Sequence, residues 1–259
     1  MIILLHSSKT MKPQLLGKDA SSPILLSKAK KLGQYLKTLS QEEIEKSMKL
    51  SSIMAKKTYD LIQDWSVDPA KLSTAIDCFK GDIYSGLQAQ NLDPSDREYA
   101  QKTLFILSGL YGVIKPLDGI APYRVEMAYK FPDSPYDNLY KFWGHDIADS
   151  LPKSEVIVNV SSVEYTKTVL PYLDSSKVVT PQFFTISPKT GQPTFVTVHS
   201  KIARGAFARW LITTRTDSAK DLGKFDLLGY KYDVGLSKPG MPAFITKEFG
   251  GIGLSVRLK

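Results

Sequence analysis

The polar residues of the segment Leu104–Met127 are the first candidates for chemistry, because the rest of this segment is apolar and rich in glycine and proline. They include Tyr111, Lys115, Asp118, Arg124 and Glu126. A carboxylate in such surroundings can act as a general base, and an arginine can hold an anion. Charges in an apolar segment either face a cleft or pair with each other. The alternative to a ligand site is a structural turn with Arg124–Glu126 or Lys115–Asp118 paired.

A second group of cations lies on a predicted helix over residues 201–215. A spacing of 100° per residue places Lys201 and Arg204 on the same face as Gly205 and Ala208, with Arg209 at its border. The two small residues leave room for a phosphate backbone or a ligand to approach between the cations. A solvated basic face, or close approach by another helix, is the alternative.

Two further lysines stand in polar turns. Lys9 follows the apolar segment Ile2–His6, and Lys80 precedes Gly81 in a turn that lacks the spacing of a phosphate-binding loop. Lys9 could join a site at the end of the strand. Pairing with Asp82 is the simpler interpretation of Lys80.

The elements that would position these residues form an α+β (mixed α/β) fold, which we predict to be a single domain over residues 1–259. Helix starts are predicted at Ser22-Pro23, at the capping box of Ser40, at Asp68-Pro69, at Asp93-Pro94 (with a helix toward Leu107), at the Ser161–Glu164 capping box and at Lys201. The predicted strands are Ile2–His6, Val156–Val160, Val178–Phe184, Phe195–Val198 and two short edge strands, Tyr230–Tyr232 and Ala243–Thr246.

The composition limits the classes of function. The net charge of +8 and the pI near 9.3 favour an anionic partner, although ordinary solubility would also explain them. The single cysteine, Cys78, excludes a disulfide within the chain. No apolar run is long enough to span a membrane and no signal peptide is recognisable, so we expect a cytoplasmic protein without a membrane partner. The three histidines lack metal-ligand spacing, and we predict structural histidines, no metal and no cofactor.

Several motifs together resemble one known family. They are LLHSSKT (4–10), FKGDIYSGL (79–87), LSGLYGVIKPLDGIAPYRVEM (107–127), LYKFWG (139–144), VNVSSVEY (158–165) and KIARGAFARW (201–210). The chain resembles the YaaA family of bacterial peroxide stress proteins along almost its whole length.

This resemblance implies a compact domain with a helix–hairpin–helix-like element and a positively charged cleft. The candidate hairpin is the segment 109–112, after a helix ending near Leu107. The resemblance also implies sequence-independent binding of double-stranded DNA, protection of DNA from Fenton damage and a lowering of free intracellular iron. Direct iron binding is disfavoured, because the cysteine and histidine clusters that suit iron are missing from the sequence.

Two functions follow as hypotheses. In the first, a DNA-binding protein contacts phosphates through Lys9, Lys80, Gly109, Gly112, Lys115, Arg124, Lys201, Arg204 and Arg209. In the second, an enzyme acts on a nucleotide, a base or a small anion, with Lys9, Tyr111, Asp118, Arg124 and Glu126 converging in a glycine-rich cleft. The oligomeric state does not follow from the sequence, and we take a monomer as the starting expectation.

Overall fold

The computed structural model describes residues 1–13, 20–131, 137–153 and 155–252. The strands are β1 Ile2–His6, β2 Thr10–Met11, β3 Ser73–Thr74, β4 Phe79–Lys80, β5 Leu104–Ser108, β6 Gly112–Ile114, β7 Gly119–Ile120, β8 Ile157–Asn159, β9 Val178–Val179, β10 Gln182–Ile186, β11 Pro193–Thr194, β12 Lys231–Lys238 and β13 Met241–Thr246. The α-helices are α1 Leu26–Lys37, α2 Gln41–Met48, α3 Ser52–Asp64, α4 Ala75–Cys78, α5 Asp82–Leu87, α6 Pro94–Thr103, α7 Leu139–Trp143, α8 Asp146–Asp149, α9 Val163–Thr166 and α10 Thr197–Thr214. The fold is therefore mixed α+β, as predicted.

A five-stranded sheet forms the centre, in the order β6-β5-β1-β8-β9. The strands β5, β1, β8 and β9 are parallel, and β6 is antiparallel to β5. Every residue of β5 is buried, as is β1 from Ile2 to Leu5. Parallel strands covered on both faces require such continuous apolar runs.

A second sheet, in the order β11-β10-β13-β12, packs against α10. Phe183 on β10 and Phe244 on β13 are stacked, with ring centroids 5.6 Å apart, and both rings contact Phe207 on α10. One continuous hydrophobic core contains these rings together with Leu4 and Leu5 of β1. The two sheets are thus held by a shared core.

The glycines of α5 and α10 allow these two helices to cross at close range. A Cβ on Gly205 would overlap the carbonyl oxygen of Ile83, and a Cβ on Gly86 would overlap that of Ile202. Of the interpretations left open for Gly205, close approach by another helix is confirmed. Room for a phosphate at this position is wrong, because α5 fills it.

The first half of the chain confirms some helix predictions and corrects others. The capping box of Ser40 and Glu43 is present at the start of α2. The helix expected after Ser22-Pro23 starts later, at Leu26, and has no side-chain cap. Residues 69–78 form a 3-10 turn, β3 and α4 in place of one helix.

The helix that begins at Asp93-Pro94 ends at Thr103, and the prediction that it continues toward Leu107 is wrong. The next residues, Leu104–Ser108, form β5 because they pair with β1 in the central sheet. A short apolar run fits either a helix or a buried strand, and only the partner strand decides.

In the second half, the single strand expected at Val178–Phe184 is wrong, because β9 and β10 are separate strands of different sheets. The strand expected at Phe195–Val198 is wrong, because α10 already begins at Thr197. The predicted edge strand Ala243–Thr246 lies inside the second sheet as part of β13, whereas β12 is an edge strand. The helix after Ser162 exists as α9 but is four residues long and lacks the predicted side-chain cap.

The placement of a helix–hairpin–helix-like element at residues 109–112 is wrong. This segment is the turn between the antiparallel strands β5 and β6, with Ser108 opposite Gly112. Gly112 has a φ of +71°, which favours glycine at this turn. Within the described part of the chain, none of the helices has the length and apolar character to cross a membrane.

Candidate functional site

The carboxyl end of β1 opens into a cleft between its two neighbours. In the sheet, β5 lies on one side of β1 and β8 on the other, so the strands that follow β1 are added in opposite directions. Parallel sheets bind ligands at such a topological switch point. The volume of this central cleft is about 550 Å³. Its lining comprises His6, Ser7, Ser8, Lys9, Thr10, Gly81, Asp82, Ile83, Glu126, Ser162, Glu164, Tyr165 and Lys201.

One wall of the central cleft is cationic and comes from α10. Lys201 lines the cleft and is exposed, while Arg204, one turn later, lies outside the lining and is half-buried. Burial lowers the pKa of Arg204, and no carboxylate among the described residues forms an ion pair with it. A half-buried guanidinium without an acidic partner loses part of its hydration, and a bound anion would compensate for that loss. Arg204 is therefore the clearest sign of an anion site.

His6 lies beside these cations at the end of β1. Its Nδ1 accepts a hydrogen bond from the backbone N–H of Ser162 at 3.2 Å, and its ring stacks on Tyr165 with centroids 5.0 Å apart. Burial lowers the pKa of His6 to about 3, and the charges of Arg204 and Lys201 act in the same direction. The ring is thus neutral at pH 7, and its proton resides on Nε2, because Nδ1 is an acceptor.

A connected row of polar groups forms the opposite end of the cleft. Glu126 accepts a hydrogen bond from the Tyr165 hydroxyl at 3.2 Å and forms an ion pair with Lys9 at 3.1 Å. The Ser7 hydroxyl donates to the Tyr165 oxygen at 3.3 Å. Burial raises the pKa of Glu126, and the nearby Glu164 adds to this rise against the opposing effect of Lys9. A carboxylate with a raised pKa inside a cleft suits proton transfer.

The five residues expected to converge as an enzyme site do not do so. Only Lys9 and Glu126 meet in the central cleft. Tyr111 is in the core, where its oxygen accepts hydrogen bonds from the Trp65 indole at 2.9 Å and from the backbone N–H of Ala121 at 3.1 Å. Asp118 is also buried and holds the turn after β6.

The partners of Asp118 explain its position. Its carboxylate accepts hydrogen bonds from the Ser21 hydroxyl at 2.7 Å and from the backbone N–H of Lys115 at 2.8 Å. The suggested ion pair of Lys115 with Asp118 is not found among the described residues, because Asp118 bonds the lysine through its backbone N–H. The Lys115 ammonium lies over the ring of Phe105, 5.6 Å from its centroid.

The remaining predicted residues lie outside the lining of the central cleft. The guanidinium of Arg209 donates to Gln88 at 2.6 Å, and Lys80 donates to the carbonyl of Asp77 at 2.9 Å. Arg124 has a buried Nε without a hydrogen-bond partner among the described atoms. It forms no ion pair with Glu126, whose partner is Lys9.

The two glycines expected to present backbone N–H groups to phosphates are buried. A Cβ on Gly109 would overlap the carbonyl of Val125, and one on Gly112 would press on Trp143. Direct phosphate contact at Gly109 and Gly112 is therefore wrong, because both positions face the core.

Several residues that line the cleft do not stand out in the sequence. Sequence reasoning assigns His6 a structural role and gives Ser7, Ser8 and Glu164 no role at a site. Their position in the sequence could have indicated a site for His6, Ser7 and Ser8, because these residues lie at or just after the carboxyl end of a buried strand. Among the described residues, no three Asp, Glu, His or Cys side chains are grouped for a metal ion.

Comparison with known proteins gives the family. A family model described as "Peroxide stress protein YaaA" matches residues 1–235. The chain belongs to this YaaA family. A UPF0246 protein of Salinispora tropica is 52% identical over 258 residues, covering 99% of this chain and 98% of the relative. A UPF0246 protein of Clostridium perfringens is 38% identical over 253 residues, covering 92% and 96% of the two chains.

Proposed function

We propose that this peroxide stress protein binds the phosphate backbone of double-stranded DNA without sequence preference, through the cations of the central cleft. The observation that carries the proposal is Arg204, a half-buried guanidinium without an ion-pair partner among the described residues. Lys201 lies on the same helix and lines the cleft. A phosphate would supply the negative charge that the protein does not.

Other predicted cations would extend this footprint. Lys9 is 54% exposed and keeps donors available beside its ion pair with Glu126. Lys80 lines a neighbouring pocket of about 390 Å³ that shares Gly81 with the central cleft. A duplex crossing both openings would meet Lys9, Lys80 and Lys201 in turn. We expect no direct phosphate contact from Lys115, Arg124 or Arg209. They would favour DNA binding only as part of the net charge of +8.

A titration against short duplex DNA across a salt series tests the proposal. The double variant Lys201→Ala/Arg204→Gln should bind all DNA sequences more weakly. The slope of log K against log salt should become shallower by about two units, because each phosphate contact that is lost reduces the slope by about 0.9. The matched control is Lys30→Ala/Lys31→Ala, which removes two exposed cations from α1. Equal slopes for the two variants would place the DNA elsewhere.

Within the peroxide response, bound protein would shield DNA from Fenton chemistry in the cytoplasm, and free iron would fall by an indirect route. Family membership supports the link to peroxide stress. Plasmid exposed to ferrous iron and hydrogen peroxide should be nicked less with the wild-type protein than with Lys201→Ala/Arg204→Gln. Equal nicking would contradict shielding, and a chelatable-iron assay in cells lacking the protein would test the effect on iron.

An enzyme acting on a nucleotide, a base or a small anion is the second candidate. The observation that favours it is the buried Glu126 in hydrogen-bonded contact with Tyr165 and Lys9 inside the cleft. Glu126 would serve as the general base, since burial raises its pKa. Incubation with nucleotides and with DNA, followed by product analysis, should show turnover that Glu126→Gln abolishes. Turnover unaffected by this change would exclude Glu126.

A further inference from the structure

The two ends of the central cleft differ in chemistry. Lys201 provides positive charge at one end, and Arg204, which lies outside the lining, adds to the positive charge that His6 experiences there. Glu126 and Glu164 lie close enough at the other end to influence each other electrostatically. The stacked rings of His6 and Tyr165 lie between the ends, since His6 interacts with the cations and Tyr165 donates to Glu126. A ligand that satisfies both ends must be anionic at one end and rich in hydrogen-bond donors at the other.

The acidic end keeps acceptor positions free within the described structure. A carboxylate offers about four lone-pair sites. The Glu126 carboxylate accepts from the Tyr165 hydroxyl and pairs with the Lys9 ammonium. The Glu164 carboxylate accepts from the backbone N–H of Ala128 at 3.1 Å. Lys9 offsets the charge of Glu126 but does not fill these positions. A donor group of a ligand is therefore what this end would accept.

We infer that the central cleft holds a single nucleotide whose base carries an exocyclic amino group, with the phosphate at Lys201 and Arg204 and the amino group donating to Glu126 or Glu164. Cytosine, adenine and guanine carry such a group, whereas thymine and uracil present a carbonyl oxygen there. The cleft volume of about 550 Å³ lies within the range of small-molecule sites. The inference deepens the proposed function, on which it rests for the two phosphate-binding cations.

The matched ligands dCMP and dUMP test the inference, because they differ in the group at position 4 of the base. Calorimetric titration should show dCMP binding at least about tenfold more tightly. The amino group of cytosine can donate to either glutamate, whereas the carbonyl oxygen of uracil would have to compete with Glu126 for the Lys9 ammonium. Arg204→Gln should weaken both ligands by the same factor. The control Lys30→Ala/Lys31→Ala should leave both unchanged.

Variants of the two glutamates separate recognition from folding. Glu164→Gln and Glu126→Gln should each reduce the preference for dCMP over dUMP, because an amide can also donate to the uracil oxygen. The Glu164→Gln variant should disturb the fold less, since Glu164 is only half-buried. A melting curve and a DNA titration on each variant show whether the fold and the cation wall remain.

The nucleotide could be free or could belong to DNA, and a second set of ligands distinguishes these sources. Duplexes with one unpaired cytosine, one unpaired uracil or no unpaired base are compared at equal salt. Tighter binding of the unpaired-cytosine duplex supports a nucleotide extruded from DNA. A preference seen only with free dCMP supports a nucleotide from solution.

The outcomes separate this inference from the proposed function. Equal affinity for dCMP and dUMP, and for the two unpaired bases, overturns the inference even if duplex binding persists. Loss of duplex binding with the dCMP preference retained would overturn the DNA proposal and support the nucleotide site.

Discussion

Arg204 and Glu126 are both removed from solvent in part, but they differ in their partners. Glu126 has an internal partner in Lys9 and a hydrogen bond from Tyr165, whereas Arg204 has no ion-pair partner within the described residues. A paired buried charge is compatible with a purely structural role. A half-buried charge without such a partner is available to an external anion, and for this reason the DNA proposal rests on Arg204 rather than on the net charge.

The free energy of unfolding should depend on pH in part because of His6. Folding lowers its pKa from 6.5 to about 3, so the unfolded chain binds the extra proton between these values. The free energy of unfolding should therefore rise with pH up to 6.5. The contribution of His6 to the slope should be below about 1.4 kcal/mol per pH unit, because solvent reaches the cleft. Urea unfolding between pH 4 and 7 should show a smaller rise for His6→Asn than for wild type. Parallel curves would contradict the assignment.

Cys78 should not be a peroxide sensor, although the protein belongs to a peroxide stress family. The thiol is fully buried, and burial raises its pKa to about 12. Peroxide oxidises the exposed thiolate, so the native thiol should be inert. Intact-mass measurement after hydrogen peroxide treatment should show Cys78 unmodified in the native protein and oxidised in urea. Equal oxidation in both conditions would show that the core opens readily.

At the scale of elements, the contact between α5 and α10 positions the cation wall against the cleft. Ile83 on α5 and Lys201 on α10 both line the central cleft, and the paired glycines set how closely these helices approach. The hydrogen bond from the Tyr84 hydroxyl to the carbonyl of His6, at 3.0 Å, ties α5 to the end of β1. The site is thus built where two helices meet the sheet.

Gly205→Ala should destabilise the fold. Alanine would favour an isolated helix by about 1 kcal/mol, but here its Cβ would overlap the Ile83 carbonyl, and overpacking costs about 1–3 kcal/mol or more. Urea unfolding should show a net loss of stability, and DNA binding should weaken with it if α10 moves. The control Gly235→Ala places its Cβ at an ordinary 3.4 Å from Asp233 and should be nearly neutral. A stabilised Gly205→Ala protein would contradict the close crossing.

At the scale of the whole molecule, a phosphate bound at Arg204 should stabilise the folded state. Inorganic phosphate at ten times its Kd contributes about 1.4 kcal/mol, which corresponds to a rise in Tm of about 2–4 °C for a chain of this size. Thermal melts at constant ionic strength should show this rise for wild type and for Lys30→Ala/Lys31→Ala, and its loss in Arg204→Gln. Equal rises in all three proteins would indicate a general salt effect.

Local signals in the sequence determined the β1 strand, the capping box of Ser40 and the family motifs, because each depends on residues close in the chain. Only the tertiary structure decided that Leu104–Ser108 pairs as a strand, since a short apolar run acquires its conformation from its neighbour. It also decided that Tyr111 and Asp118 belong to the core while His6 and Glu164 face the cleft. The sequence shows which residues can carry charge, but burial and partnership arise between segments far apart in the chain.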